Sequence, residues 1–267
     1  MQGTGNDFIV IDARSIDPAP VIAQARRLCD RKFGIGADQL LLIRPSESAD
    51  FRMQIFNTDG SEVEMCGNGI RCFAKYLKER NLTTKETLTV ETAAGIMTPV
   101  IREKEVDVDM GEPILDGPQI PVRMESRVIS QPVEFSGKEW KITCVSMGNP
   151  HCIIGVDDLE QFPVEKVGPC IETDPLFPNR TNVEFVQVIN DRELKMRVWE
   201  RGTGETLSCG TGACAATVAA VLNGWTGRKV RVHLAGGTLR IDWREDNRVI
   251  LTGPAEEVFR GIIEIRR

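Results

Sequence analysis

The chain has 267 residues, of which 41% are hydrophobic and 27% charged, and its formal net charge is −6 at pH 7. This length allows one large domain or two of ordinary size, and the composition is typical of a globular protein. The acidic balance argues against nucleic acid or an anionic membrane as a partner, because both select basic surfaces. No apolar run approaches the roughly 20 residues that cross a bilayer, and no signal peptide is visible, so we expect a cytoplasmic protein.

The first half of the chain predicts a mixture of strands and helices. A helix is expected over 21–31. Another is expected over 70–80, where apolar side chains at i, i+3, i+4 and i+7 form one stripe. Hydrophobic runs bounded by turn residues predict strands over 6–12, 40–44, 51–57, 87–92, 97–102 and 106–110.

The second half repeats the first at an offset of 143 residues, which falls to 142 further along the chain. Cys66 and Cys209 differ by 143 positions (209 − 66 = 143), and each opens a Cys-Gly-x-Gly sequence after a strand. After a one-residue deletion, Gly95 falls on Gly237 at an offset of 142 (237 − 95 = 142). The larger offset carries Asn6 onto Asn149, Gln39 onto Asn182, and Asn57 onto Glu200.

We interpret this repeat as a duplication, which predicts an α+β fold of two pseudo-symmetric domains. Each domain should be a mixed β-sheet or barrel around a central helix. An N-terminal domain is expected over 1–112, joined by 256–267, and a C-terminal domain over 113–255, with the active site in the cleft between them. The helix over 213–222 is apolar on all sides and should be enclosed. A last strand over 258–265 is expected to cross back to the first domain.

The glycine-rich turns place Cys66 and Cys209 at helix N-termini. There the unpaired N–H groups and the helix dipole favour an anion, so we expect each thiol pKa to be lowered toward neutrality. The N–H groups of Gly67-Asn68 and Gly210-Thr211 can also hold a carboxylate. Two such copies face to face would put a thiol on each side of an α-carbon. That arrangement suits removal of a proton from one face and its return on the other.

The remaining cysteines and the histidines indicate no metal site. The cysteine spacings lack the paired C-x-x-C of a zinc site, and the chain has only two histidines. The Gly-x-Gly sequences near the N-terminus are too short for a phosphate-binding fingerprint. We expect neither metal nor cofactor. Small core residues are the expected role of the other cysteines, which are Cys29, Cys72, Cys144, Cys152, Cys170 and Cys214.

Seven motifs, in order over nearly the whole chain, resemble the diaminopimelate epimerase family. The resemblance implies interconversion of LL- and meso-diaminopimelate without pyridoxal phosphate, on the route to lysine and peptidoglycan precursors. It also implies a homodimer. The motifs are Gly3–Phe8, Gly34–Gln39, Asn57–Gly60, Met65–Arg71, Gly148–His151, Arg180–Asn182 and Glu200–Gly212.

The resemblance also implies roles for individual residues. Cys66 and Cys209 correspond to the two catalytic bases, and His151 and Glu200 to residues that tune the thiol pKa values. The backbone of Gly67, Asn68, Gly210 and Thr211 corresponds to the cradle of the reacting carboxylate. The other implied substrate contacts, with Glu200 again among them, are Asn6, Gln39, Asn57, Asn149, Asn182 and Arg201.

Residue chemistry alone leaves alternatives open. His151 could be a satisfied core histidine, Arg201 a surface cation, and Asn149 a turn residue before Pro150. Proline and hydroxyproline racemases also use two cysteines but have no use for an arginine aimed at a distant carboxylate. From a different class, the cysteine pair could be a redox switch, or the chain a binding module on the same scaffold.

Overall fold

The structure, a computed structural model, describes residues 1–265 and divides into two units. Unit 1 comprises Met1–Asp109 and the chain from Thr252 onward, and unit 2 comprises Met110–Leu251. Within the described residues, no helix is both long and apolar enough to span a membrane.

Unit 1 is a mixed sheet with a long helix and two short ones. The sheet order is β1-β2-β3-β4-β6-β7, with β5 paired to β4, while β8 and β9 form an antiparallel pair. The helices are α1 (Ala19–Ile22), α2 (Ala25–Cys29) and α3 (Gly67–Glu79). The strands are β1 (Gln2–Gly3), β2 (Asn6–Asp12), β3 (Gln39–Arg44), β4 (Phe51–Asn57), β5 (Glu62–Val63), β6 (Val90–Thr92), β7 (Gly95–Met97), β8 (Val100–Ile101) and β9 (Glu105–Asp109).

Helix α3 carries the predicted apolar stripe, whose members Ile70, Phe73, Ala74 and Leu77 are fully buried. It begins three residues before the predicted start, at Gly67 rather than at 70. Gly-Asn-Gly has low helix propensity and resembles a loop in the sequence, but all three residues are buried in this helix. Tertiary packing therefore extends the helix to the N-cap cysteine.

Two predictions for unit 1 are wrong. The helix expected over 21–31 is two short helices, because the chain leaves helical geometry at Gln24, with φ −103° and ψ 8°. The strand expected over 258–265 has no regular structure. The strand that passes from unit 2 into unit 1 is β18 (Val249–Pro254), which ends at a proline that cannot donate to a ladder. The prediction over 97–102 is also interrupted, and Pro99 lies in the break between β7 and β8.

Unit 2 is a larger mixed sheet around helix α5 (Gly210–Leu222). Helix α5 packs against strands on both sides of β14 in this sheet, and its side chains from Ala213 to Ala220 are buried, which confirms the expected enclosed helix. The sheet order is β10-β11-β12-β13-β14-β16-β17-β18, with β15 paired to β14. The other elements are β10 (Gln131–Phe135), β11 (Lys138–Ser146), β12 (Pro150–Gly155), α4 (Val164–Glu172), β13 (Asn182–Asn190), β14 (Glu193–Glu200), β15 (Gly204–Thr206), β16 (Lys229–Leu234) and β17 (Gly237–Trp243).

The duplication extends to the pairing register of the strands. Phe8 pairs with Gln39 in the parallel ladder of β2 and β3, and His151 pairs with Asn182 in the parallel ladder of β12 and β13. Both partners move by the same offset of 143 (151 − 8 = 143; 182 − 39 = 143). The antiparallel ladders that follow, β3 with β4 and β13 with β14, match in the same way. The α+β duplication predicted from the sequence is confirmed.

Candidate active site

In unit 1, Cys66 is the N-cap residue of α3. Its backbone is extended, with φ −140° and ψ 119°, while Gly67 begins the helix. The Sγ atom donates to Asn6 Oδ1 at 3.6 Å, and Asn68 Nδ2 donates to the same oxygen at 3.4 Å. Asn6 therefore lies between the thiol and the first turn of the helix, at the end of the helix that attracts anions.

A fully buried arginine lies beneath this helix N-terminus. Arg71 Nη1 donates to the Gly67 carbonyl at 3.1 Å and to Asn68 Oδ1 at 3.0 Å, and Nε donates to the Pro254 carbonyl at 3.1 Å. The guanidinium fixes the first turn and the Asn68 side chain. We assigned no role to Arg71 from the sequence, where it occurs only within a motif.

Gln39 and Asn57 form a second pair on adjacent strands of unit 1. Gln39 Nε2 donates to Asn57 Oδ1 at 3.0 Å, and Asn57 Nδ2 donates to Ser61 Oγ at 3.1 Å. Strand register places them directly opposite each other. The two predicted substrate contacts are thus held together as one polar group.

In unit 2, Cys209 occupies the position equivalent to Cys66, as the N-cap residue of α5. Its Sγ accepts from the Gly212 N–H at 3.4 Å and lies 3.5 Å from Thr211 Oγ1. Both cysteines are helix N-caps, as predicted, but the sulfur contacts differ. The thiol of Cys209 is buried, whereas Cys66 is half-buried.

The pKa of Cys209 is raised, contrary to the expectation from its helix N-terminus. Burial is the largest cause, followed by the negative charges of Glu200 and Glu184, which together outweigh the Thr211 and Gly212 hydrogen bonds that lower it. Burial also raises the pKa of Glu200, against hydrogen bonds from Thr206 and Cys209. The helix dipole is therefore the weaker influence here, and Cys209 rests as a neutral thiol.

Asn182 ties two backbone segments of unit 2 together. Its Nδ2 donates to the Pro150 carbonyl at 2.9 Å, and its Oδ1 accepts from the Arg201 N–H at 2.9 Å. Arg201 itself is exposed and donates from Nη1 to the Asn179 carbonyl at 3.2 Å. Asn182 thus fixes the turn that carries Glu200 and Arg201.

A buried acid–histidine pair adjoins this group. His151 Nδ1 lies 2.7 Å from Glu184 Oε1, and His151 Nε2 lies 3.0 Å from Asn149 Oδ1. Glu184, which we did not predict from the sequence, is fully buried. The available signal was a charged residue within the apolar run Val183-Glu184-Phe185-Val186 of strand β13.

Each unit thus gathers its own share of the predicted residues. Unit 1 holds Asn6, Gln39, Asn57, Cys66, Gly67 and Asn68, and unit 2 holds Asn149, His151, Asn182, Glu200, Arg201, Cys209, Gly210 and Thr211.

The other cysteines are also free thiols. Cys29, Cys72, Cys144, Cys152 and Cys214 are buried, as expected for core residues. The same expectation is wrong for Cys170, which is exposed on α4 because its position there faces away from the sheet.

The chain matches the family model described as diaminopimelate epimerase over residues 1–115 and 143–258. The diaminopimelate epimerase of Moorella thermoacetica is 56% identical, over 98% of this chain and 96% of that protein. That of Methanococcus maripaludis is 51% identical, over 99% of this chain and 98% of that protein.

Solved structures at low sequence identity share the fold. A phenazine biosynthesis protein of the PhzF family from Bacillus anthracis has a TM-score of 0.68 at 19% identity, covering 95% of this chain and 92% of that chain. A probable proline racemase from Agrobacterium radiobacter has a TM-score of 0.64 at 16% identity, covering 95% of this chain and 88% of that chain.

The fold, the paired helix N-caps and these relatives define an isomerase of the amino-acid epimerase class. More particularly, the chain belongs to the diaminopimelate epimerase family.

Proposed function

We propose that this protein interconverts LL- and meso-diaminopimelate without a cofactor, in the synthesis of lysine and peptidoglycan precursors. The observation that carries the proposal is the pair of cysteines, each the N-cap residue of an equivalent helix in a register-matched unit. The relatives described above are 51–56% identical over nearly the whole chain, and their name identifies diaminopimelate as the proposed substrate. The proposed site is made of the two half-sites acting on one substrate molecule.

The reacting carboxylate is held by backbone N–H groups at the two helix N-termini. Gly67-Asn68 and Gly210-Thr211 begin the two helices, where the N–H groups have no partner within the helix. As the α-proton leaves, negative charge moves onto this carboxylate as an enediolate. Fixed N–H dipoles stabilise that charge most strongly, because they need no reorganisation during the reaction.

The proton transfers balance between the two thiols. One sulfur begins as thiolate and takes the α-hydrogen as a proton, leaving its bonding electrons on the α-carbon. The other sulfur begins as thiol and gives its proton to the opposite face of that carbon. The product has inverted configuration, and the two sulfurs have exchanged protonation states.

The raised pKa of Cys209 supports an assignment of acid and base in the resting enzyme. Burial and the charges of Glu200 and Glu184 favour the neutral thiol, so Cys209 is the acid of the resting enzyme. Cys66 is then the base for one of the two stereoisomers. For the opposite isomer the roles reverse, and Cys209 must lose its proton first.

The far end of the substrate is an amino-acid group, which both donates and accepts hydrogen bonds. Arg201 offers a planar guanidinium to the distal carboxylate, and the amides of Asn57 and Asn149 can each donate or accept. Asn182 fixes the Arg201 backbone, so its contribution includes orientation of that arginine.

The decisive experiment is incorporation of solvent deuterium at the α-carbon of LL-diaminopimelate by the reduced enzyme. Wild-type protein should exchange that hydrogen, and the double variant Cys66→Ala, Cys209→Ala should not. The matched control is Cys170→Ser, which removes an exposed thiol. Undiminished exchange in the double variant would contradict the two-thiol mechanism.

Substrate identity has its own test. Replacing Arg201 with Ala should raise KM for diaminopimelate about 10- to 100-fold, the effect of losing a charged hydrogen-bonding group. Arg192→Ala, which removes another exposed arginine of unit 2, serves as the control. Faster turnover of proline than of diaminopimelate by the wild-type protein would place the chain among the racemases instead.

A further inference from the structure

Glu184 is a fully buried acid, and its hydrogen-bond partner among the described residues is His151. Its Oε1 lies 2.7 Å from His151 Nδ1, and both side chains have no exposed surface. Among the described residues, Oε2 has no hydrogen-bond partner. A buried acid costs free energy unless it is paired, so the contact with His151 is what holds this group in place.

The two ring nitrogens of His151 face different oxygens. Nδ1 faces the carboxyl group of Glu184, and Nε2 faces the amide oxygen of Asn149 at 3.0 Å. An amide oxygen can only accept, so Nε2 carries hydrogen. This holds whether the second proton of the pair resides on Nδ1 or on the carboxyl group, because Glu184 supplies the matching partner in both cases.

The hydrogen bond from His151 decides which end of the Asn149 amide is free. With Oδ1 engaged by Nε2, the amino group Nδ2 makes no hydrogen bond within the described part of the chain, and Asn149 is half-buried. Asn149 therefore presents a donor, and it requires an acceptor such as a substrate carboxylate oxygen.

The equivalent asparagine of unit 1 is held differently, because both ends of its amide are engaged. Asn6 Nδ2 donates to Asp38 Oδ2 at 2.8 Å, and its Oδ1 accepts from Cys66 Sγ at 3.6 Å. The offset of 143 that relates Asn6 to Asn149 (149 − 6 = 143) also relates Phe8 to His151 (151 − 8 = 143). The acid–histidine pair therefore belongs to unit 2 alone.

A second buried apolar residue of unit 1 also has an ionisable counterpart in unit 2. Leu41, fully buried in unit 1, is the counterpart of Glu184 (184 − 41 = 143). Two apolar core positions of one unit are thus an acid and a base in the other. Because a buried acid–histidine pair is weak as a source of stability, its presence in only one unit points to a role in the reaction.

We propose that Glu184 is a positioning residue for the reaction, which fixes His151 so that Asn149 is set as a hydrogen-bond donor toward the substrate. The inference rests on the proposed function for the identity of that substrate, but the hydrogen-bond chain itself can be tested without one.

The first test uses ligand-free wild-type protein labelled with ¹⁵N at histidine. The chain has only two histidines, so the His151 ring can be assigned by replacement of His233. The expected result is a proton on His151 Nε2, and its signal should shift in Asn149→Ala. A bare Nε2 in the wild type would overturn the proposal, with no need for any variant of Glu184.

The second test compares Glu184→Gln, Asn149→Ala and the double variant. A glutamine amide can pair with either neutral tautomer, so the ring loses its single orientation and KM for diaminopimelate should rise roughly 10-fold. The double variant should be no worse than Asn149→Ala, because both changes remove the same contact. Multiplied defects, or unchanged KM in Glu184→Gln, would overturn the proposal.

The matched control is Glu193→Gln, which removes a carboxylate beside the other histidine, 3.9 Å from His233 Nε2. It should change neither KM nor the His151 signals. If wild-type protein shows no α-hydrogen exchange, the proposed function fails, while the histidine signals still decide whether Glu184 fixes the ring.

Discussion

At the scale of single residues, Cys209 shows how burial competes with a helix dipole. The dipole and the Gly212 N–H favour the thiolate, yet burial and two carboxylates leave the pKa raised. A carboxylate substrate brings further negative charge. The thiol is therefore better prepared to give a proton than to take one.

This pKa shift predicts a pH-dependent contribution to stability. The folded state holds the Cys209 proton more tightly than the unfolded state, so the contribution is complete below about pH 8.5 and is lost as pH rises above it. Unfolding of wild type and of Cys209→Ser, measured by urea at several pH values, should show the wild type losing about 1.4 kcal/mol per pH unit relative to the variant. Cys170→Ser is the control, and a pH-independent difference for Cys209→Ser would contradict the shift.

At the scale of elements, equivalent glycines at the two helix N-termini differ in the atoms that a side chain there would meet. A Cβ at Gly212 would lie 2.7 Å from Glu184 Oε1 and 3.2 Å from Cys209 Sγ. A Cβ at the equivalent Gly69 would meet Ile55 Cδ1 at 3.0 Å, the movable end of an aliphatic side chain. The backbone of α5 is thus fitted to the acid beneath it.

Replacement of each glycine with Ala should separate these two environments. Gly212→Ala must displace either the Glu184 carboxyl group or the Cys209 sulfur, and kcat/KM for diaminopimelate should fall about 100-fold. In the matched control, Gly69→Ala, kcat/KM should fall by less because the Ile55 side chain can change its rotamer. Equal losses in the two variants, measured beside their thermal melts, would show that the contact with Glu184 is unimportant.

The turn that carries Glu200 and Arg201 depends on a buried acid of α4. Glu172 accepts from Trp199 Nε1 at 2.7 Å and from the Gly202 N–H at 2.8 Å. The two bonds anchor both ends of the segment that presents Glu200 and Arg201. A helix remote in sequence thereby holds the proposed distal binding site.

Glu172→Gln replaces one of these acceptors with a donor and should destabilise unit 2 by about 1–2 kcal/mol. Hydrogen exchange at the Gly202 amide should accelerate, and KM should rise more than kcat falls. Glu165→Gln, an exposed position on the same helix, is the control. Unchanged exchange at Gly202 would show that the turn is held by other contacts.

Sequence patterns predicted the helices and strands better than they predicted the buried charges and the pKa shift of Cys209. Strands 6–12 and 51–57 and both N-cap cysteines were located correctly, because hydrophobic period and glycine context are local properties. Arg71 and Glu184 were missed, because the sequence does not distinguish a charged residue in a buried strand or helix from one on the surface. The direction of the Cys209 pKa shift depends on acids brought in from other strands, which local context does not contain.

At the scale of the whole molecule, the last described residues expose apolar side chains. Phe259 is 66% exposed and Ile262 104%, within a segment that has no regular structure. Clustered exposed apolar side chains commonly mark an interface. We infer that this segment is the contact surface of the homodimer that the family resemblance implies.

Phe259→Asp should therefore shift the protein from dimer toward monomer, because a charge is costly in a buried interface. Sedimentation velocity on wild type and variant at equal concentration gives the measurement. Val188→Asp, at an exposed apolar position of unit 2, is the control. A monomeric wild type, or a variant that remains dimeric, would remove this segment from the interface.

The passage of β18 from unit 2 into unit 1 reverses the usual order of assembly on the ribosome. Unit 2 is one continuous stretch, Met110–Leu251, whereas unit 1 also needs the chain beyond Thr252. Chains emerge N-terminus first, so the half begun earliest is completed last. Arg71 can donate to the Pro254 carbonyl only after residue 254 has been made. A nascent chain that stalls just before this point would hold a complete Cys209 half-site and an incomplete Cys66 half-site, and under the proposed mechanism it would not turn over substrate.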